Sequence, residues 1–176
     1  EKFIGGSNII TFKTEQKLPV IQIDLFENMN IDSIVFHGKN LKYNRKYNAV
    51  FVEFEEALAK NTTDSLEFFY SGHPIVAKNA PWDGGFVWEK DQKGRPFVSV
   101  VCEGDGAGLW WPLKDHIMDE PDKGAKMTFT VPSGLFCVSN GHLTSTTEDL
   151  ENGKKAYTWE VDNPINNYNI SVQLGH

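Results

Sequence analysis

Gly85-Phe86-Val87-Trp88 and Phe97-Val98-Ser99-Val100-Val101 read as two strands separated by the turn Lys93-Gly94-Arg95-Pro96. Apolar residues alternate with a period of two on both sides of a glycine turn, which is the pattern of half-buried strands. The alternation continues outward in both directions. Upstream it recurs in Ile9–Phe12, Val20–Leu25, Ile34–Phe36, Ala49–Phe54 and Leu66–Tyr70. Downstream it recurs in Met127–Val131, Leu135–Val138, Ala156–Val161 and Tyr168–Val172. Turn chemistry separates these runs at Gly38-Lys39-Asn40, Asp83-Gly84-Gly85, Ser139-Asn140-Gly141 and Asn152-Gly153. Helical signal is confined to Glu55–Lys60, which suits a turn or two of helix or a loop, and to Asp115–Lys123, which suits a short helix. The expected fold class is all-β: an antiparallel β-sandwich or saddle-shaped sheets, about eleven short strands and little helix.

The chain has 176 residues, 40% of them hydrophobic, enough for a core without staples and in keeping with one domain over 1–176. It holds no apolar run near the roughly 18 residues that a membrane span needs. It opens Glu1-Lys2-Phe3, with no initiator Met and no leader pattern, so residues are expected to precede it. A net charge of −7 argues against a nucleic-acid partner, which needs a basic face. Cys102 and Cys137 lack the Cys-x-x-Cys spacing of a zinc or redox site; they are open to pairing or to burial as thiols. Asn61-Thr62-Thr63 matches a glycosylation acceptor, a pattern with many chance occurrences.

The segment Cys102-Glu103-Gly104-Asp105-Gly106-Ala107-Gly108-Leu109-Trp110-Trp111-Pro112 departs from the alternation. Glycine costs about 0.5–1 kcal/mol inside a helix or strand, so three within five residues mark a loop with special backbone needs. Such loops carry function, although tryptophans that plug a sandwich end would read the same way. His116 and Asp119 lie three apart with Asp115 adjacent, a poor zinc set by ligand count. His37, His73, His142 and His176 are scattered. No Gly-x-Ser-x-Gly elbow is present. Glu103, Asp105, Asp119 and Glu120 are the acids a paired-carboxylate hydrolase would use, but Asp119-Glu120-Pro121 reads more simply as a turn. Trp82, Trp88, Trp110 and Trp111 are the aromatics that a carbohydrate- or peptide-binding β-sandwich module would present.

From Ile31 onward the order of motifs resembles the amino-terminal β-domain of zinc aminopeptidases related to aminopeptidase N and leukotriene hydrolase, the gluzincins. Ser71-Gly72 closes a strand as the family's Tyr-x-Gly does. Pro81-Trp82-Asp83-Gly84-Gly85-Phe86 has the form of one bacterial branch. The strand ending Val101-Cys102-Glu103 leads to Trp111-Pro112, Asp119-Glu120-Pro121, the Ser139-Asn140 turn, and Asn163-Pro164 before Tyr168. Departures from the family pattern are the insertion Leu113–Met118, a lysine matched by either Lys123 or Lys126, and the expected loss of the family's first strand. The His-Glu-x-x-His helix that carries zinc ligands and general base in that family does not occur in these residues.

The resemblance implies an excised, non-catalytic domain that packs on its own catalytic domain, which is absent. Zinc is the implied cofactor of that missing domain, with none in this chain. The metal would polarise the carbonyl and activate water there. The implied partner is a peptide substrate with a free amino terminus. By residue-to-residue match Glu103 binds the α-ammonium, Gly104 lets the backbone approach the substrate, and Val101 stands where relatives often carry a Gln lining the first side-chain pocket. The exported members of the bacterial branch imply a periplasmic or extracytoplasmic setting.

Overall fold

The computed structural model describes residues 2–149 and 151–176, and their backbone is all-β. Fourteen strands occur among the described residues, three more than the alternation predicts. All the sheets are antiparallel, which suits a chain linked by short turns. By contact density the chain divides into two compact units. One runs to Ile75 and takes in Ala107–Asp115; the other comprises Val76–Gly106 and His116–His176.

The first unit holds two sheets. One has the order β1 (Ile4–Lys13), β7 (Thr63–Gly72), β3 (Met29–Phe36), β4 (Lys39–Asn40); the other has the order β2 (Leu18–Asp24), β6 (Ala49–Leu58), β5 (Lys42–Lys46). β6 shows how sequence sets the register. Val50, Val52 and Phe54 point inward and are buried, while Glu53 and Glu55 face solvent. With Ile23, Leu25, Met29, Ile34, Leu58, Leu66 and Phe68 they form one apolar core. Phe68 and Leu25 are completely buried, and each such side chain contributes about 1.5–3 kcal/mol. Glu55 to Leu58 belongs to β6 rather than to a helix, because Leu58 pairs with Leu18 across the sheet.

The second unit has sheets of order β11 (Phe136–Ser139), β14 (Val172–Gly175), β9 (Pro96–Val101), β8 (Gly85–Lys90), and of order β10 (Ala125–Pro132), β13 (Lys154–Val161), β12 (His142–Asp149). Val98, Val100, Cys137, Tyr157 and Val172 supply buried positions. The Ser139-Asn140-Gly141 turn is pinned to the last strand region. Ser139 Oγ donates to the Ser171 carbonyl at 2.7 Å, and Asn140 Oδ1 accepts from Ser171 N–H at 2.8 Å. Residues 115–123, read as a short helix, form two successive turns instead. Asp119 N–H bonds to the His116 carbonyl, Gly124 N–H to the Pro121 carbonyl, and Pro121 cannot continue a helix. The final strand lies four residues later than predicted, at Val172–Gly175, because Asn167–Asn169 turns into a short 3₁₀ helix.

Candidate functional site

The β8–β9 hairpin positions the site. Its register sets Gly85 opposite Val101 and Lys90 opposite Pro96. At one end Asp91 closes the turn: its carboxylate accepts from Lys93 N–H (2.8 Å), Arg95 N–H (2.9 Å) and Arg95 Nε (2.7 Å). The Arg95 guanidinium and amide hold the Asp91 carboxyl below the usual carboxylate range.

At the opposite end the two chain segments leave the hairpin together. Val101, half-buried, ends β9. Cys102 follows, buried, with its thiol 3.2 Å from the Tyr168 carbonyl. Gly106 N–H then bonds back to the Cys102 carbonyl at 2.8 Å, closing a tight turn over residues 102–106. Gly106 sits at φ 91°, a left-handed conformation that glycine adopts without the cost a Cβ brings. Asp105 braces the turn from its flank, taking Gly84 N–H at 2.6 Å. Gly84 belongs to a second ordered loop, in which Asp83 accepts from Lys78 N–H (2.8 Å) and Asn79 N–H (2.6 Å), and Trp82 N–H bonds to the Asn79 carbonyl. The Trp-Asp-Gly and Glu-Gly-Asp motifs, eighteen or more residues apart in sequence, are thereby tied together.

Glu103 and Gly104 occupy the crown of this turn, both exposed. The Glu103 carboxylate has no partner among the described residues. Gly104 has an ordinary backbone, and a Cβ there would meet nothing within 4 Å. Glycine at 104 is required neither by strain nor by packing within the chain. Val101, Glu103 and Gly104 thus share one strand end, with a fixed backbone and an unengaged carboxylate.

The other candidates separate. Asp115 accepts from Gly108 N–H at 2.9 Å, and its own N–H bonds to Asp24 Oδ2. His116 Nδ1 accepts from Met118 N–H at 3.2 Å. Asn167 Nδ2 donates to the Asp119 carbonyl. These residues are spent on local turns, and no group of three His, Cys, Asp or Glu suited to a metal gathers among the described residues. Of the four tryptophans only Trp82 is open, 83% exposed. Trp88 stacks on Phe86 at 5.4 Å, and Trp110 is buried with Trp111 edge-on at 6.2 Å. No disulfide joins Cys102 and Cys137, and both are buried. No helix is long and apolar enough to cross a membrane.

The chain matches no protein-family model, and no curated protein is similar to it. Solved structures do match. An M1 zinc metallopeptidase from Deinococcus radiodurans superposes with a TM-score of 0.83 and 22% identity, covering 99% of this chain and 38% of its own. A mutant form of the Deinococcus radiodurans enzyme, bound to a Tyr-Ser-Ala substrate, matches with the same figures. A two-domain M1 zinc metallopeptidase mutant bound to L-tryptophan matches at TM-score 0.83 and 22% identity, with 99% of this chain against 39% of that one. The fold is that of one part of an M1 zinc metallopeptidase. The chain spans less than two-fifths of those structures' length.

One feature escaped sequence reasoning. Phe97, Phe136 and Val138 stand exposed in the β11–β14–β9–β8 sheet. The signal was present in Leu135-Phe136-Cys137-Val138, which is apolar at every position.

Proposed function

We infer that this chain is a non-catalytic β-domain of a zinc-dependent aminopeptidase, and that Glu103 receives the free α-ammonium of a peptide substrate. One observation carries the reading. Glu103 is an exposed carboxylate without a partner, on a turn braced from two sides, in a fold shared with peptidases. Fixed backbone with a free charged group is the arrangement a binding site needs, since the ordering cost is met before the ligand arrives.

The chemistry is simple. A carboxylate against an ammonium makes a charge-assisted hydrogen bond, roughly twice as strong as a neutral one. An acylated amino terminus has lost the charge and cannot make it. Holding the terminus at Glu103 fixes the register of the peptide, so that cleavage falls one residue in. Gly104 leaves the crown free of side-chain bulk, and Val101 offers an apolar surface below it. In this reading the metal and the proton-accepting acid belong to a catalytic domain outside these 176 residues, and this chain binds and orients.

The test uses the longer protein that carries this chain. In Glu103→Gln, kcat/KM for free-amine peptides falls about 30- to 1000-fold, the equivalent of ~2–4 kcal/mol for losing a charged partner in a desolvated cleft. A loss smaller than threefold removes the assignment. The 176-residue chain by itself releases no amino acids from peptides, with or without added zinc.

A further inference from the structure

The second unit carries an apolar face that its own residues leave uncovered. Phe136 is 64% exposed, Val138 51% and Phe97 38%. They are not scattered. Strand pairing sets Phe136 opposite Gly175, Val138 opposite Gln173, and Gln173 opposite Ser99, two residues from Phe97. Side chains two apart on a strand share a face. The intervening residues Cys137 and Val98, buried at 2% and 7% exposure, supply the other face. The outward face forms a shallow groove in which Pro96, Phe97, Phe136 and Val138 are joined by the polar Asp91, Gln173 and His176. Lys155 lies at its rim, with its ammonium 6.0 Å from the Phe136 ring and 5.2 Å from the Tyr157 ring. Exposed apolar side chains gathered on one face, with polar groups at the rim, are the pattern of an interaction site.

We propose that this groove is the docking face for the second domain of a longer chain. The inference rests on the reading given under Proposed function, and it names the surface through which that domain attaches. The matched structures point to the occupant. They share this chain's fold over 38–39% of their length, and one of them is described as a two-domain enzyme, which leaves a second domain larger than this one. An interface within a chain resembles a protein–protein interface, with an apolar centre and a polar rim. The partner surface would insert apolar side chains between Phe97 and Phe136 and set an acidic residue opposite Lys155.

Hydroxyl-radical footprinting of the full-length protein at micromolar concentration tests this. Phe136 and Val138 are expected to be labelled at least fivefold less, relative to intrinsic reactivity, than the exposed Ile9 and Met118, which serve as internal standards. The variant Val138→Asp, at a half-exposed position that tolerates a charge, is expected to restore labelling of Phe136 and leave that of Ile9 unchanged. Free labelling of Phe136 and Val138 in the intact protein overturns the proposal. Protection that disappears on tenfold dilution also overturns it, and assigns the face to a second copy. A gene that encodes no second domain defeats the aminopeptidase reading itself, and that is visible before any labelling is done.

Discussion

Two connections leave strand ends in this molecule and are built to opposite ends. Between β2 and β3, residues 25–29 turn over a buried core, and three of their carbonyls are taken up by one side chain. Arg45 reaches in from β5 and donates to the carbonyls of Leu25 (2.7 Å), Phe26 (2.6 Å) and Met29 (2.7 Å). Burial lowers the affinity of that guanidinium for its proton, but arginine starts so high that it stays charged. Leu25 and Met29 are fully buried beneath it. Beyond β9, the turn over residues 102–106 also has a fixed backbone, but its charge points out and meets nothing. In the first connection the half-buried guanidinium is spent on carbonyls and attracts the exposed Glu27; in the second, Glu103 meets no cation among the described residues.

The contrast breaks most visibly at Arg45. Arg45→Met keeps the aliphatic packing but leaves the three carbonyls without their donor, and lowers stability by about 3 kcal/mol in urea unfolding. A loss under 1 kcal/mol would show that the connection is held by core packing alone.

Within the turn over residues 102–106 the two glycines sharpen the comparison. Gly106→Ala forces a Cβ into φ 91° and costs about 1–2 kcal/mol. Gly104→Ala meets no atom and no strain, and changes stability by less than about 0.5 kcal/mol. Parallel thermal melts of the two variants check the pair; equal shifts would mean that the crown is not free.

A smaller effect separates the buried thiol of Cys137 from the surface chemistry. Burial pushes that thiol up to about 12, so it stays neutral in the fold while the unfolded chain ionises near its ordinary value of 9. The folded state therefore holds a proton that the unfolded state releases, and stability falls as pH rises above about 9. Melting between pH 8 and pH 10 drops further in the native protein than in Cys137→Ala. An identical drop in both would place the thiol in contact with water.

Much of the fold was legible because the core strands alternate. The hairpin of β8 and β9, and the strands β6, β7, β10 and β13, lie where period-two patterning sets them. The missed strands lack that signal for a physical reason. β5 reads Lys42-Tyr43-Asn44-Arg45-Lys46 and β12 spans His142–Asp149 with every residue exposed; both are outer strands with little to bury, held by pairing with β6 and β13. Glu55–Leu58 favoured helix by composition, and pairing with β2 overrode that preference. At the candidate site, glycine spacing marked the turn on which Glu103 lies, while the role proposed for Glu103 came from the family resemblance. The brace between Asp105 and Gly84 was invisible, because it joins residues 21 apart through a backbone amide.

The most direct test compares a peptide with its des-amino analogue, identical except for the missing α-ammonium, in the full-length protein and in Glu103→Ala. The native protein should prefer the amine by at least about 30-fold in kcat/KM, and the variant's preference should collapse toward unity. If the variant keeps the native preference, the ammonium is read elsewhere and Glu103 is an ordinary surface acid.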